Sequence, residues 1–377
     1  MNQKGRHFHI GITGSYGGLN LGDEAILHSI IAQLQKSLRV KITVFSRNAN
    51  DTHQRHNVDK AISVRQMARD EVALEIKRLD LLIFGGGGIL FDSEVKAFLR
   101  EVQIAHDLGV PVMVYAVSAG PLQEALNQEL VRDCLNQAAI VTVRDRKTYY
   151  LLEEIGVRRE TIVTADPAFL LAPEPLPKEA LKLEGLEGDE PLVGMSVREP
   201  GGAAPDLKEE KYHTLLANVA DYVIERFGAR VVFVPMEREV QDMQHSHAVV
   251  ARMLRPQYAA VLKGDYSSGQ ILSLVKHFRF ALGMRLHFLI FAVKCGVPFV
   301  ALPYASKVHG LLEYLHIEMP PLELVNEGRL IAYLDKLWDH QRDLKAAMRQ
   351  ALPDFTARAR QTHDIAVRFL KQQGQNR

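Results

Sequence analysis

Short apolar runs alternate with amphipathic stretches along most of the chain. The runs at residues 7–13, 40–46, 79–84, 111–116 and 139–143 predict strands, with helices starting near Asp23, Gln66, Ser93, Gln123 and Asp145. In the first helix Ile26, Leu27, Ile30, Ile31 and Leu34 form one apolar stripe, the mark of a helix lying on a sheet. A second series of strands is predicted at 192–197, 230–235, 278–283 and 298–303, separated by helices near 209–227, 239–254, 269–277, 286–295 and 308–316. Two tail helices follow, at 328–352 and 354–373, divided at Pro353. Repeated strand–helix units predict an α/β class with parallel sheets covered on both faces. The architecture expected is two Rossmann-like, doubly wound domains facing across a cleft.

Between the series, residues 172–191 exchange apolar periodicity for prolines, glycines and acids, which reads as a linker. The expected division is 1–172, a linker at 173–191, a second domain at 192–352, and a C-terminal helix at 353–377 that crosses back to the first domain. A length of 377 residues accommodates two such domains. With 46 basic and 45 acidic residues, no global field recruits nucleic acid or an anionic membrane, and an anionic partner must meet a local site. The lone Trp338 and scattered aromatics offer no stacking platform for nucleic acid.

Cys134 and Cys295 are far apart and lack metal-ligand spacing, so they read as packing residues. In "HSHAVV", His245 and His247 stand two apart on a predicted helix and point to different faces, so no metal is expected, and no cofactor either. The chain shows neither an apolar signal core nor an apolar run of about 18 residues, so a cytoplasmic protein without a transmembrane segment is expected.

In doubly wound sheets, ligands bind at the carboxyl ends of the strands, and the unusual motifs fall there. The first strand is followed by "GSYGGLNLGDEAIL", whose four glycines exceed what a turn needs. Tyr16, Gly17, Asn20, Asp23 and Glu24 there could meet the hydroxyls of a polar substrate at a helix N-terminus, although turn geometry and a cap account for part of the pattern. The order is not G-x-G-x-x-G, and no Walker lysine follows. "DLLIFGGGGILFD" brings Gly86 and Gly87 after a strand, where backbone must approach a ligand, the first loop or a packed helix. Ser118, Arg144 and Asp166 stand at further strand ends of the same edge.

In the second series, "FALGMRLHFLIFAVKCGVPFVAL" places Arg285 and His287 at the start of an apolar helix. Cations there oppose the helix dipole at a cost of about 0.3–1 kcal/mol each unless an anion is shared, although a packed histidine beside a snorkelling arginine is the alternative. Arg198, Met236, Glu237, Arg238, Tyr304 and Lys307 hold equivalent strand-end positions. Arg198, Arg285, His287 and Lys307, flanked by Met284 and Tyr304, could thus surround a small, highly charged anion.

The segments "GSYGGLNLGDEAIL", "FGGGGILFD", "VSAGPL", "VTVRDRKTYYLLEEIGV", "TADPAFLL" and "GMRLHFLIFAVKCGVPFVALPYASKV" stand in the order and spacing of the polysaccharide pyruvyl transferase family, which the chain resembles over residues 10–307. One departure is Gly85, where members of that family often carry serine. The resemblance implies a GT-B-like fold and transfer of pyruvate from phosphoenolpyruvate to a sugar, forming a cyclic ketal and releasing phosphate. Phosphoenolpyruvate would be a co-substrate, and the acceptor a saccharide of a cell-surface polysaccharide or its lipid-linked precursor. It further implies a donor site at Arg285 and His287, with His287 as acid/base; Asp23 follows on motif position alone. A location at the inner face of the membrane and a homo-oligomer are left open. Two other classes stay open from the residues: a nucleotide-sugar glycosyltransferase of the same fold, and a catalytically silent carbohydrate-binding protein.

Overall fold

The computed structural model describes residues 7–199, 208–237, 241–302, 306–317 and 326–375. Strands β1 (Phe8–Thr13), β2 (Val40–Ser46), β3 (Lys60–Ser63), β4 (Leu81–Leu90), β5 (Val112–Ala119), β6 (Ile140–Val143) and β7 (Thr161–Val163) form one sheet, ordered β3-β2-β1-β4-β5-β6-β7. Strands β8 (Leu192–Ser196), β9 (Arg230–Phe233), β10 (Ala259–Val261), β11 (Phe278–Gly283) and β12 (Phe299–Ala301) form a second, ordered β10-β9-β8-β11-β12. Every neighbouring pair is parallel. In both sheets the chain winds outward one way and then the other, so the class is doubly wound α/β. The direction reverses between β1 and β4 in the first sheet and between β8 and β11 in the second. Crevices at such reversals are where these sheets receive ligands.

Burial explains the strands. All eight residues of β5 are buried, as a central parallel strand covered on both faces requires. The edge strands β3, β7 and β10 have only three or four residues and half-buried positions, too weak a pattern to have been expected from sequence. The glycine run is not a loop after a strand but part of β4 itself, paired with β5 through Gly85, Gly87 and Gly88.

The chain divides into two compact units, residues 1–171 with 354–377, and residues 172–353. The stretch expected as a linker packs within the second unit. Glu174 accepts a hydrogen bond from Ser267, and the Glu184 carboxylate accepts from the Lys263 and Gly264 amides and the Tyr266 hydroxyl at 2.7–2.9 Å. The tail breaks at His340 rather than Pro353, and Gln341–Gln375 is one helix with Pro353 inside it. In the first unit, Phe355 of this helix stacks on Phe169 at 4.4 Å, Thr362 bonds Thr164 at 2.8 Å, and His363 bonds Ser37 at 2.8 Å. Among the described residues, no helix is long and apolar enough to cross a membrane.

Burial of His363 carries a pH dependence. The ring is 3% exposed, and burial pushes its pKa below the ordinary 6.5. Between pH 6.5 and that lower value the unfolded chain binds the extra proton, so the contribution to stability is whole above 6.5 and lost as pH falls through the window. Thermal unfolding followed from about pH 8 to about pH 5 should show a smaller fall in Tm for His363→Gln than for the wild type. Equal falls would remove His363 from the acid response.

Candidate functional site

At the reversal point of the first sheet, the loop after β1 leads into the helix Leu21–Ser37. Asn20 is its N-cap, its side-chain oxygen accepting from the Gly22 and Asp23 amides at 2.9 and 3.3 Å. The two acids that follow have different tasks. Glu24 turns inward and is 2% exposed, one oxygen accepting from the Gly17 amide at 2.8 Å and the other 2.6 Å from His56 Nε2. It therefore braces the loop from within rather than facing a substrate. Asp23 is half-buried at the mouth of the loop. Tyr16, completely buried, donates its hydroxyl proton to the Gly85 carbonyl. Burial, with Asp23 and Glu24 adding to it, pushes the Tyr16 hydroxyl well above its usual value, which keeps it a donor.

The glycines of β4 are explained by this packing. Gly86 has φ +70°, and a Cβ there would lie 2.1 Å from Ile26 Cγ2; at Gly87 (φ +90°) it would lie 3.2 Å from Asp23 Oδ1. The strand thus passes against the first helix beside Asp23. Gly86→Ala combines left-handed strain with overpacking and should destabilise by about 2–4 kcal/mol, measured by urea unfolding. A change below about 0.5 kcal/mol would refute the tight approach.

Elsewhere on this edge the groups are paired with each other. The Ser118 hydroxyl donates to Asp145 at 2.7 Å, and Asp145 also caps the helix Arg146–Glu154. Arg144 and Asp166 form a buried ion pair at 2.5 Å, and Asp166 also accepts from the Ala168 amide. These residues hold the rim in shape, while Asn20 and Asp23 remain partly exposed.

At the reversal point of the second sheet, Ser196 of β8 pairs in register with Gly283 of β11. Arg198 and Arg285 each lie two residues beyond this pair, at the same carboxyl edge. Arg285 is the N-cap of the helix Leu286–Cys295 and is 7% exposed. Its Nε is 3.0–3.2 Å from both Asp242 oxygens, its Nη2 is 2.5 Å from Asp242 Oδ1, and Nη2 is also 2.6 Å from Glu237. Asp242 is completely buried and accepts in addition from the Met236 and Glu237 amides at 3.0 and 3.1 Å. The anion demanded by a cation at this helix start is thus supplied first by the protein. Asp242 fixes the guanidinium from below, and Glu237, 38% exposed, meets it from the solvent side.

His287 lies in the first turn of the same helix, half-buried, and Arg198 is ion-paired with Glu199. Met284 is a core residue, its sulfur 2.6 Å from the Tyr212 hydroxyl, and so supports the site from behind. The Ser196 hydroxyl, 1% exposed, has no hydrogen-bond partner among the described residues, so a polar group is left unmatched at this strand end. Arg238, Tyr304 and the Lys307 side chain lie outside the described residues. Sequence reasoning missed Asp242 and Ser196. Asp242 could have been noticed as an acid in the first turn of the helix following β9, but its partner lies 43 residues away.

The family model for polysaccharide pyruvyl transferase matches residues 20–306. The chain is 21% identical over 297 residues to the amylovoran biosynthesis protein AmsJ of Erwinia amylovora, covering 74% of this chain and 70% of that protein. Among solved structures, a putative UDP-N-acetylglucosamine 2-epimerase from Listeria monocytogenes superposes with a TM-score of 0.67 at 13% identity, covering 96% of this chain and 95% of that one. Anabaena Alr3699/HepE, in complex with UDP and glucose, gives 0.63 at 15% identity over 97% of this chain and 100% of that one. These likenesses show the fold, a GT-B-like α/β architecture with two parallel sheets.

Proposed function

The chain belongs to the polysaccharide pyruvyl transferase family, and from that premise we propose that it moves pyruvate from phosphoenolpyruvate to two hydroxyls of a saccharide, forming a cyclic ketal and releasing phosphate. The observation that carries this reading is Arg285, held by buried Asp242 at the carboxyl edge of the second sheet, with Arg198 at the matching position and His287 one helical step on. Phosphoenolpyruvate carries a carboxylate and a phosphate on three carbons, so it needs closely set cations and helix N-terminal donors. On binding, it takes the place of Glu237 on the solvent side of Arg285, while Asp242 keeps the guanidinium in position.

His287 protonates the methylene carbon, which becomes the methyl group and leaves oxocarbenium character at the central carbon. A sugar hydroxyl adds there as it gives up its proton to a general base. The carbon–oxygen bond to phosphate breaks, the second hydroxyl closes the ring, and its proton leaves with the phosphate. Atoms and charge balance without an oxidant or a cofactor. Similarity to an amylovoran biosynthesis protein supports a polysaccharide or its precursor as the acceptor.

The test is phosphate release from phosphoenolpyruvate across a panel of lipid-linked and nucleotide-linked sugars, with mass spectrometry of the acceptor. Phosphate release that depends on one acceptor, together with a product heavier by pyruvate less one water, is expected. UDP complexes of similarly folded proteins define the competing donor class. Thermal protection by a UDP-sugar with none by phosphoenolpyruvate would overturn the reading.

A further inference from the structure

At the helix that carries Asp242, next to the second strand-edge site, two histidines and a glutamate of the second unit converge. Glu209 opens the helix Glu209–Phe227 and His213 follows one turn later, the spacing that puts both on one face. His245 comes from a different helix, Gln241–Val250. His213 Nε2 lies 2.8 Å from His245 Nδ1, and Glu209 Oε1 lies 3.9 Å from the first and 3.7 Å from the second.

We propose that Glu209, His213 and His245 form a binding site for a divalent transition-metal cation of the zinc type, with a fourth position for water or another ligand. Two nitrogens and one carboxylate oxygen are a donor set that zinc favours in sites with an open position. Tetrahedral bonds of about 2.0–2.1 Å separate ligand atoms by about 3.3 Å, so the triangle of 2.8, 3.7 and 3.9 Å needs shifts of roughly half an ångström to close on an ion.

The protein alone leaves this triangle poorly matched. A hydrogen bond between the rings uses one proton, and the Glu209 oxygen stays beyond hydrogen-bond distance of both nitrogens. An ion would satisfy three lone pairs at once. Both rings are buried, at 3% and 8% exposure, and burial lowers both pKa values, which favours the neutral form that a metal requires. The acids acting on the rings are Glu209 and Asp242; the cations are Arg198, Arg252 and Arg285. Arg285 is paired with Asp242 and Glu237, Arg198 with Glu199, and Arg252 is exposed, so none presents an uncompensated buried charge to the ion.

Spacing along the chain hides this site, because His245 and His213 are 32 residues apart and His247 has no place in the triangle. The expectation of no metal rested instead on the two-residue spacing of His245 and His247. His245 and Asp242 share one helix, so an ion binding His245 would also anchor the segment that holds Arg285.

The test uses the full chain stripped with a chelator, titrated with zinc by calorimetry and with cobalt(II) by visible absorption. One tight zinc per chain and the intense bands of four-coordinate cobalt are expected. His245→Ala should weaken zinc binding at least about 100-fold, and Glu209→Gln, at an exposed position that leaves the core intact, about 10-fold. If His245→Ala does not fold, Glu209→Gln and the cobalt spectrum decide. Wild-type zinc affinity in Glu209→Gln, or only the faint bands of six-coordinate cobalt, would overturn the site and leave a hydrogen-bonded histidine pair. Neither readout depends on pyruvyl transfer, so this test stands or falls apart from the proposed reaction.

Discussion

Asp242→Asn is expected to lower unfolding stability by about 3–5 kcal/mol, because it leaves a buried guanidinium short of its main counter-charge. Asp242 is 0% exposed and serves Arg285 Nε and Nη2 together with the Met236 and Glu237 amides. Asparagine keeps the volume but replaces an accepting oxygen with a donating NH2 that faces other donors. Glu237 stays in place and offsets part of the loss from an exposed position, where an ion pair contributes at most about 1 kcal/mol. Urea unfolding monitored by fluorescence and circular dichroism gives the measurement. A loss under about 1 kcal/mol would mean that Arg285 is held mainly by other contacts.

His287→Gln carries the largest expected effect on activity. Glutamine still forms hydrogen bonds but cannot deliver a proton to carbon, so kcat for acceptor-dependent phosphate release should fall by about 10²–10⁴-fold with little change in KM for phosphoenolpyruvate. Arg285→Lys should show the opposite pattern. A point charge replaces a planar fork, so KM for phosphoenolpyruvate should rise by roughly ten- to a hundredfold, about 1.4–3 kcal/mol of lost charge-assisted hydrogen bonding, with a smaller effect on kcat. The contrast between the two variants separates a proton donor from an anchor. Near-normal turnover of folded His287→Gln would remove histidine from the acid step.

What could be read from the sequence was what depends on near neighbours in the chain. The helices Glu209–Phe227 and Leu286–Cys295 begin and end where their periodicity places them, and β11 coincides with its apolar run. Strand-end position also brought Arg198 and Arg285 to one edge. What escaped was whatever depends on distant partners. Gly85, Gly86 and Gly87 look like a loop until Val117 and Ile26 are seen against them, and only then is a glycine-bearing strand the answer. Glu24 and Asp23 are alike in sequence, yet His56 and the Gly17 amide claim only the first. Asp242 was overlooked because its meaning lies wholly in Arg285. Pro353 was read as a stop because a proline lacks the N–H a helix interior needs, but the helix continues through it.

The helix that passes through Pro353 also bears on the order in which the chain matures. Residues from Asp354 onward belong to the first unit, where Phe355, Thr362 and His363 pack against Phe169, Thr164 and Ser37. They leave the ribosome only after all of residues 172–353. The second unit can therefore finish folding during synthesis, while the unit that begins the chain stays incomplete until its closing segment arrives. Until then Phe169 lacks the ring that stacks on it in the finished unit, and Thr164 and Ser37 lack the partners that the closing helix brings.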